Sequence, residues 1–542
     1  MTEHRPHHVA IPATTSSILH TPETRESPPQ DSPHPTAAGH PHAIAHSRAS
    51  APPAARSGAA QHPHAAAAQH PAPAHAQPSS ARPTSPEFYF ARTGANVDPM
   101  TGAFADIPAR GHGGSMMMGG PPSPSFTTAF AEWAPAAFAE SPPDSYFSLY
   151  LHTPYCSHRC NFCPFYINPI RTGFSDEYTS LLSREIDATA AVLAPAFANR
   201  PVRTVFFGGG TPSDLDRDDL AKIIRQLHDR FPISSETEIT VEGRIRGFTA
   251  DKAKAWADAG ANRYSLGVQS TDTALRRKIG RLADRDEIRS TLAALCASGA
   301  VVIIDLIYGF PGQTPEMLVE DIRFVAEETD IHGLDLYELK QFPTSPLAKA
   351  IAAGHFPPAP DRAGRGRIYA AATEALARHG FAHFTRKHWR RSPRERSLYN
   401  RTALSPADLV PFGSGAGGRI GRFSLSQHRE IARYADAVAQ GQKPATTIPG
   451  AARPPKPSFR QILSLTIEEC ALPALHYFPE ECRNTADIVL HQWAESGLLK
   501  PVNDDVLQDI QLAWRMTPAG AFWAEHLQSL LIMLSTVSHQ TA

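Results

Sequence analysis

The sequence predicts an α/β fold in which six strand–helix units build one parallel sheet, with a smaller α-rich domain after it and a disordered tail before it. Three observations carry that prediction. From Tyr146 onwards, each short apolar or alternating run is followed by a longer amphipathic one, the pattern of strands alternating with crossover helices. The first 86 residues hold 16 of the 50 prolines and 12 of the 26 histidines, set among Ala, Ser and Gln without apolar periodicity. Such a segment buries too little apolar surface to offset its ordering entropy. The last 85 residues read as helices with room for a wing: "FRQILSLTIEE", "ADIVLHQWAESGLL" and "PAGAFWAEHLQSLLIML".

The strands are expected at "YFSLYLH" (146–152), "VRTVFFG" (202–208), "EITVEG" (238–243), "RYSLGVQ" (263–269), "VVIIDLIYG" (301–309) and "GLDLYEL" (333–339). Helices fill the intervals at 176–193, 216–230, 249–259, 285–298, 314–328 and 361–379. Parallel strands joined this way form an open sheet or a full or partial barrel, with the chemistry at the carboxyl ends of the strands. Composition then divides the chain into a Pro/Ala/His-rich tail (1–87) and a lead-in that packs on the barrel (88–145), with "GSMMMGG" as a loop within it. The core (146–360), an extension that closes the barrel (361–450) and the α-rich C-terminal domain (451–542) follow.

With 52 Lys+Arg against 53 Asp+Glu, the chain carries neither a nucleic-acid footprint nor a membrane-surface charge. Of its six cysteines, Cys296, Cys470 and Cys482 stand alone, which does not suit a disulfide framework and fits a reducing cytoplasm. No stretch approaches the roughly 20 apolar residues that span a bilayer, and the amino terminus has no apolar core of signal-peptide length. The expected location is cytoplasmic.

Cys156, Cys160 and Cys163 form C-x3-C-x2-C directly after the first strand. Structural zinc takes four ligands, usually as two spaced pairs, and no second pair is present. An iron–sulfur cube held by three thiolates keeps one iron open to an outside ligand. S-adenosylmethionine (SAM) can chelate that iron through its amino and carboxylate groups. A glycine loop, "FFGGGTP" (206–212), ends the second strand, where backbone N–H groups can approach an anionic group. Glu242, Gln269, Arg281 and Asp305 fall at successive strand ends, an inventory suited to a zwitterionic sulfonium and its ribose hydroxyls.

These stretches resemble the radical SAM superfamily. "LYLHTPYC", "FFGGGTPS", "EITVE", "NRYSLGVQS", "DLIYGFPGQT" and "PFGSGAGG" are similar, in order and spacing, to its oxygen-independent coproporphyrinogen oxidase-like branch over about 146 to 420. The resemblance implies a partial (β/α)6-type barrel, a 4Fe-4S cluster on Cys156, Cys160 and Cys163, and two SAM molecules. It places Tyr150, Gly209 and Glu242 on the cluster-bound SAM. Phe162, Gly210, Thr211, Gln269, Arg281 and Asp305 fall on the second; no further catalytic residue is assigned.

One departure redirects the function. Decarboxylating members of the branch keep another cysteine two residues after the third, where this chain has Phe165. "CPFY", "ERSLYNR" and "AGAFWAEHL" are most similar to the anaerobic haem-utilisation methyltransferases of the ChuW/HutW type. That likeness implies methyl transfer to haem with ring opening to a linear tetrapyrrole and iron release, and a one-electron donor such as flavodoxin or reduced flavin. From the charge balance and the lack of an apolar span, no nucleic-acid or membrane partner is expected. The alternatives are a haem-delivery protein without turnover and coproporphyrinogen oxidation. The basic run with Arg386, Lys387, Arg390, Arg391, Arg394 and Arg396 around His388 and Trp389 reads as a solvated loop, or else as a site for haem propionates.

Overall fold

The computed structural model describes residues 86–93, 97–104, 128–142, 145–165, 168–197, 200–403, 405, 407–450, 457–503, 505–507 and 509–536. The tail expected at 1–87, up to residue 85, and the "GSMMMGG" loop lie outside them.

Every expected strand and crossover helix is present. Strands β1 (Phe147–Thr153), β2 (Val202–Gly209), β3 (Glu238–Gly243), β4 (Arg263–Gln269), β5 (Val301–Tyr308) and β6 (Gly333–Glu338) pair in that order, each parallel to the next. Helices α1 (Phe174–Leu193), α2 (Arg217–Arg230), α3 (Ala250–Ala259), α4 (Arg285–Ala297), α5 (Pro315–Glu328) and α6 (Arg362–Arg378) follow the six strands in turn. Their starts are written locally. A capping box closes α4 between Asp284 and Glu287, and Thr314 accepts the N–H of Met317 ahead of Pro315 at the first turn of α5.

Alternation along each strand sorts its side chains. On β1, Phe147, Leu149 and Leu151 are fully buried, whereas Tyr150 and His152 keep some exposure. Leu266, Val268, Ile304 and Leu292 belong to the same continuous apolar core. Full burial of such side chains contributes about 1.5–3 kcal/mol each, which fixes every strand in one register.

The sheet extends beyond the six strands. Strand β7 (Ala382–Thr385) and antiparallel β8 (His388–Arg390) continue it past β6. On the other side β9 (Asp408–Phe412) runs parallel to β1, followed by antiparallel β10 (Gly417–Ile420), β11 (Phe423–Gln427) and β12 (Ala445–Pro449). Among the described residues β7 and β12 are not paired with each other, so the barrel is partial.

Beyond residue 457, helices Phe459–Glu468, Arg483–Glu495 and Ala524–Thr536 surround a small antiparallel sheet built on Ile510–Met516. The lead-in packs on both the C-terminal helices and the barrel. Tyr89 accepts from the Trp493 indole at 2.9 Å and Pro99 from Trp523 at 3.0 Å, while helix Phe130–Ala139 sets Phe138 against Phe147 of the barrel.

The basic run is not a solvated loop, and most of it is not available to a propionate. His388 and Trp389 are buried within β8. The Arg391 guanidinium donates to the carbonyls of Ile331, Ala326 and Thr329, and Arg394 to that of Gly299. Arg390 donates to the carbonyl of Glu395, Arg396 pairs with Glu236, and Arg386 with Glu468 and Glu525. These arginines stitch the sheet edge to its neighbours. Charge density in a sequence does not reveal which backbone carbonyls lie within reach.

Candidate active site

The cysteine loop leaves β1 and is held at several points. Cys156 and Cys160 are buried and Cys163 half-buried; none of the six cysteines is in a disulfide. The Cys163 N–H donates to the Cys160 carbonyl at 3.2 Å, and Thr211 Oγ1 donates to Cys156 Sγ at 3.3 Å. Asp214, after β2, accepts the Ser157 N–H at 2.7 Å and its hydroxyl at 3.2 Å. Arg244, after β3, donates to the His158 carbonyl at 2.8 Å. Asn161 takes both the Ile279 and Lys278 carbonyls, from the segment after β4. Burial raises the Cys156 thiol, with the Thr211 hydrogen bond and Arg244 acting in the opposite sense.

Among the described residues no three His, Cys, Asp or Glu side chains are gathered tightly enough to hold a single metal ion. Three thiols on one braced loop are the ligands that an iron–sulfur cluster takes.

Opposite the loop, the glycine turn is shaped by close approach. Gly209 has φ +110°, and a Cβ there would lie 2.6 Å from the His152 ring. Its N–H donates to Glu242 Oε2 at 3.2 Å, and the Gly210 N–H to the Thr153 carbonyl at 2.7 Å. Thr211 is buried, its hydroxyl committed to Cys156. The Tyr150 hydroxyl lies 3.0 Å from His152 Nδ1. Burial drives the Tyr150 phenol well above its usual range and lowers His152 to about 4, so both are neutral. Burial also raises Glu242 to about 7, partly offset by the Gly209 N–H.

Gln269 sits at a register shift in β4 with φ +72°, a backbone cost of order 1–3 kcal/mol that such sites store. Its side chain and the guanidinium of Arg281 both crowd over Gly267. Gln269 Oε1 and Arg281 Nε are buried without a hydrogen-bond partner. Native interiors rarely leave such atoms unpaired, and a ligand with donors and acceptors would satisfy both. Burial lowers Arg281, while the cysteines Cys160 and Cys163 and the carboxylate of Asp305 favour its charge. Asp305 is raised well above the carboxylate range by burial, then by Asp335 and Glu242. Phe162 packs edge-on to Phe310 with ring centroids 5.6 Å apart, in an apolar cluster with Leu275, Ile279 and Leu347. Phe165 is 46% exposed, outside that cluster.

All the residues expected from sequence therefore line one barrel mouth or its rim. Sequence reasoning missed Phe206 and Tyr399, whose rings stack 4.0 Å apart beside Tyr150, and Asp335 and Tyr337 on β6. The alternation in "GLDLYEL" was the available signal for the last two, since it puts them on the face opposite Leu334 and Leu336.

A parallel barrel with three thiols on the loop after its first strand, a glycine turn after its second and orphaned polar atoms between them defines a class: enzymes that pair an iron–sulfur cluster with SAM. The radical SAM superfamily matches residues 150–325. Anaerobilin synthase of Escherichia coli O157:H7 is 35% identical over 384 residues, 70% of this chain and 83% of that protein. The haem chaperone HemW of Bacillus subtilis is 30% identical over 54% of this chain and 76% of its own length. The structure of coproporphyrinogen III oxidase (HemN) from Escherichia coli has the same fold, with TM-score 0.59 and 24% identity over 74% of this chain and 93% of that one. This chain belongs to the radical SAM superfamily, in the coproporphyrinogen oxidase-like family that includes anaerobilin synthase. Membership implies a 4Fe-4S cluster and SAM, and the donor set described above fits both. No helix among the described residues is long and apolar enough to cross a membrane.

Proposed function

We propose that this radical SAM enzyme acts on haem, transferring a methyl group, opening the macrocycle to a linear tetrapyrrole and releasing iron. The observation that carries the reading is the 35% identity to anaerobilin synthase across 83% of its length. Phe165, where a decarboxylating relative would keep a fourth cysteine, supports it.

Cys156, Cys160 and Cys163 would hold three corners of the cluster. When bound and supplied with an electron from a flavodoxin or reduced flavin, the cluster and its chelated SAM furnish one-electron cleavage of a carbon–sulfur bond. The chain's own residues bind, orient and shield. Tyr150, Gly209 and Glu242 would take the first SAM. A carboxylate held near 7 by burial gains charge as an ammonium group arrives, and the adjacent N–H fixes its orientation. Gln269, Arg281 and Asp305, with Phe162, Gly210 and Thr211, would take a second SAM, a use that supplies partners to the two orphaned atoms. Arg281 also balances the thiolates of Cys160 and Cys163. The Phe162–Phe310 cluster keeps water from that side.

The similarity to the haem chaperone favours a second reading, haem delivery without turnover. Anaerobic incubation of reconstituted protein with haem, SAM and a reductant separates the two. Loss of the Soret band with a methylated, iron-free open tetrapyrrole in the mass spectrum is expected. Intact haem passed to an acceptor protein, with no SAM consumed, would overturn the enzymatic reading.

A further inference from the structure

One cation of the basic run is left over. Lys387 lies in the turn between β7 and β8, where its carbonyl accepts the Leu336 N–H at 2.7 Å. Its ammonium has neither an ion-pair nor a hydrogen-bond partner among the described residues, and stands 5.3 Å from the centre of the Tyr337 ring. Tyr337 belongs to the lumen: its phenol is raised by burial and by Asp335, Asp305 and Glu242 together. The carboxylates nearest Lys387 are spoken for. Glu468 pairs with Arg386, and Glu525 takes both Arg386 and Lys340. Lys387 is thus crowded by protein yet still partly accessible. Burial lowers it to about 8, which leaves it mostly charged at neutral pH.

An unpaired charge is not kept in such a place without a cost, and the usual resolution is a counter-ion. The lumen offers none: Glu242 and Asp305 are pushed towards the neutral form, and Asp335 is taken by His388 at 2.9 Å. A tetrapyrrole seated in the barrel brings the missing charge, because it carries propionate carboxylates on its rim and an apolar face that can lie against Tyr337.

We propose that Lys387 is the anchor for one propionate carboxylate of the tetrapyrrole substrate, with the Tyr337 ring beside it as the apolar support. This rests on the tetrapyrrole reading above. It also narrows the role of the basic run from a patch to one residue.

The test uses the full-length, cluster-reconstituted protein. Haemin and its dimethyl ester, in which both propionates are neutralised, are titrated anaerobically and followed by the shift in Soret absorbance. Wild type is expected to prefer haemin to the ester by about tenfold or more, the value of one charge-assisted hydrogen bond. Lys387→Gln should lose that preference through weaker haemin binding alone, and Lys387→Arg should restore most of it. Iron content and thermal unfolding confirm that each variant is folded and loaded. If wild type prefers haemin and Lys387→Gln retains the preference, or loses haemin and ester equally, the anchor is overturned while the tetrapyrrole reading stands. If wild type binds neither porphyrin, both fall.

Discussion

The groups framing the site are mostly kept neutral by burial, and His152 shows what that costs. Its ring meets the Tyr150 hydroxyl on one side and fills the space beside Gly209 on the other, and its carbonyl accepts the Tyr178 hydroxyl. Burial, reinforced by Arg429, lowers its pKa from 6.5 to about 4. The folded state therefore binds this proton less readily than the unfolded one. The stability contributed is fully present above pH 6.5 and is lost as pH falls from 6.5 towards 4. Between pH 7.5 and 5 the loss from this residue should be about 2 kcal/mol. Urea unfolding of the cluster-free protein at the two pH values should show a smaller difference for His152→Gln than for wild type. Equal differences would mean that the ring is not the acid-sensitive group.

The cysteine loop is the element on which the chemistry depends, and its two-residue ladder, Tyr155–Cys156 on Asn168–Pro169, is too short to hold it. Residues after β2, β3 and β4 do so instead. Asp214 is the firmest of these contacts, taking two hydrogen bonds from Ser157 beside Cys156. Asp214→Ala removes both while leaving strands and core untouched, so global stability should fall by only about 1–2 kcal/mol. Cluster retention should fall much further, because a loose loop no longer presents its thiols together. Iron per chain after reconstitution and gel filtration measures this; wild-type loading would show that Asp214 is dispensable.

The same element explains what could be read in advance. The spacing of Cys156, Cys160 and Cys163 was legible because it is local, and the six strands because each is a short apolar run bounded by turn residues. The braces were not, since Asp214, Arg244 and Asn161 reach their partners only after the barrel brings distant loops together. For the same reason the arginines of 386–396 looked available in sequence but prove committed to carbonyls and carboxylates far along the chain. Strands β9 to β12 escaped prediction too: they are short, with glycines in the turns joining β9, β10 and β11, and only pairing with β1 and with each other makes them strands.

At the scale of the whole molecule, one buried ion pair ties the sheet to the segment that lines its lumen. Arg263 on β4 meets Glu395 at 3.0 Å, with side-chain exposures of 4% and 0%. Glu395 also accepts the Ser397 N–H, and Glu238 on β3 accepts those of Leu398 and Tyr399. Two buried carboxylates thus hold residues 395–399 by backbone, and this places the Tyr399 ring on Phe206. Glu395 and Glu238 together favour the charged form of Arg263 strongly enough to outweigh its burial. The pair needs both members: removing one leaves the other charge uncompensated, at a cost of about 3–5 kcal/mol, whereas replacing both with apolar groups can be near neutral. Glu395→Gln keeps the acceptor and removes the charge, so it isolates the electrostatic part. The urea midpoint should fall by an amount equivalent to about 3 kcal/mol, and the combined Arg263→Met, Glu395→Leu protein should recover much of that loss. Because Tyr399 hangs from this segment, the single variant should also alter tyrosine fluorescence, and the double variant should restore it less well than it restores stability. A single variant costing less than about 1 kcal/mol would show that Glu238 alone suffices for Arg263, and would move the hold on this segment from the ion pair to the backbone hydrogen bonds.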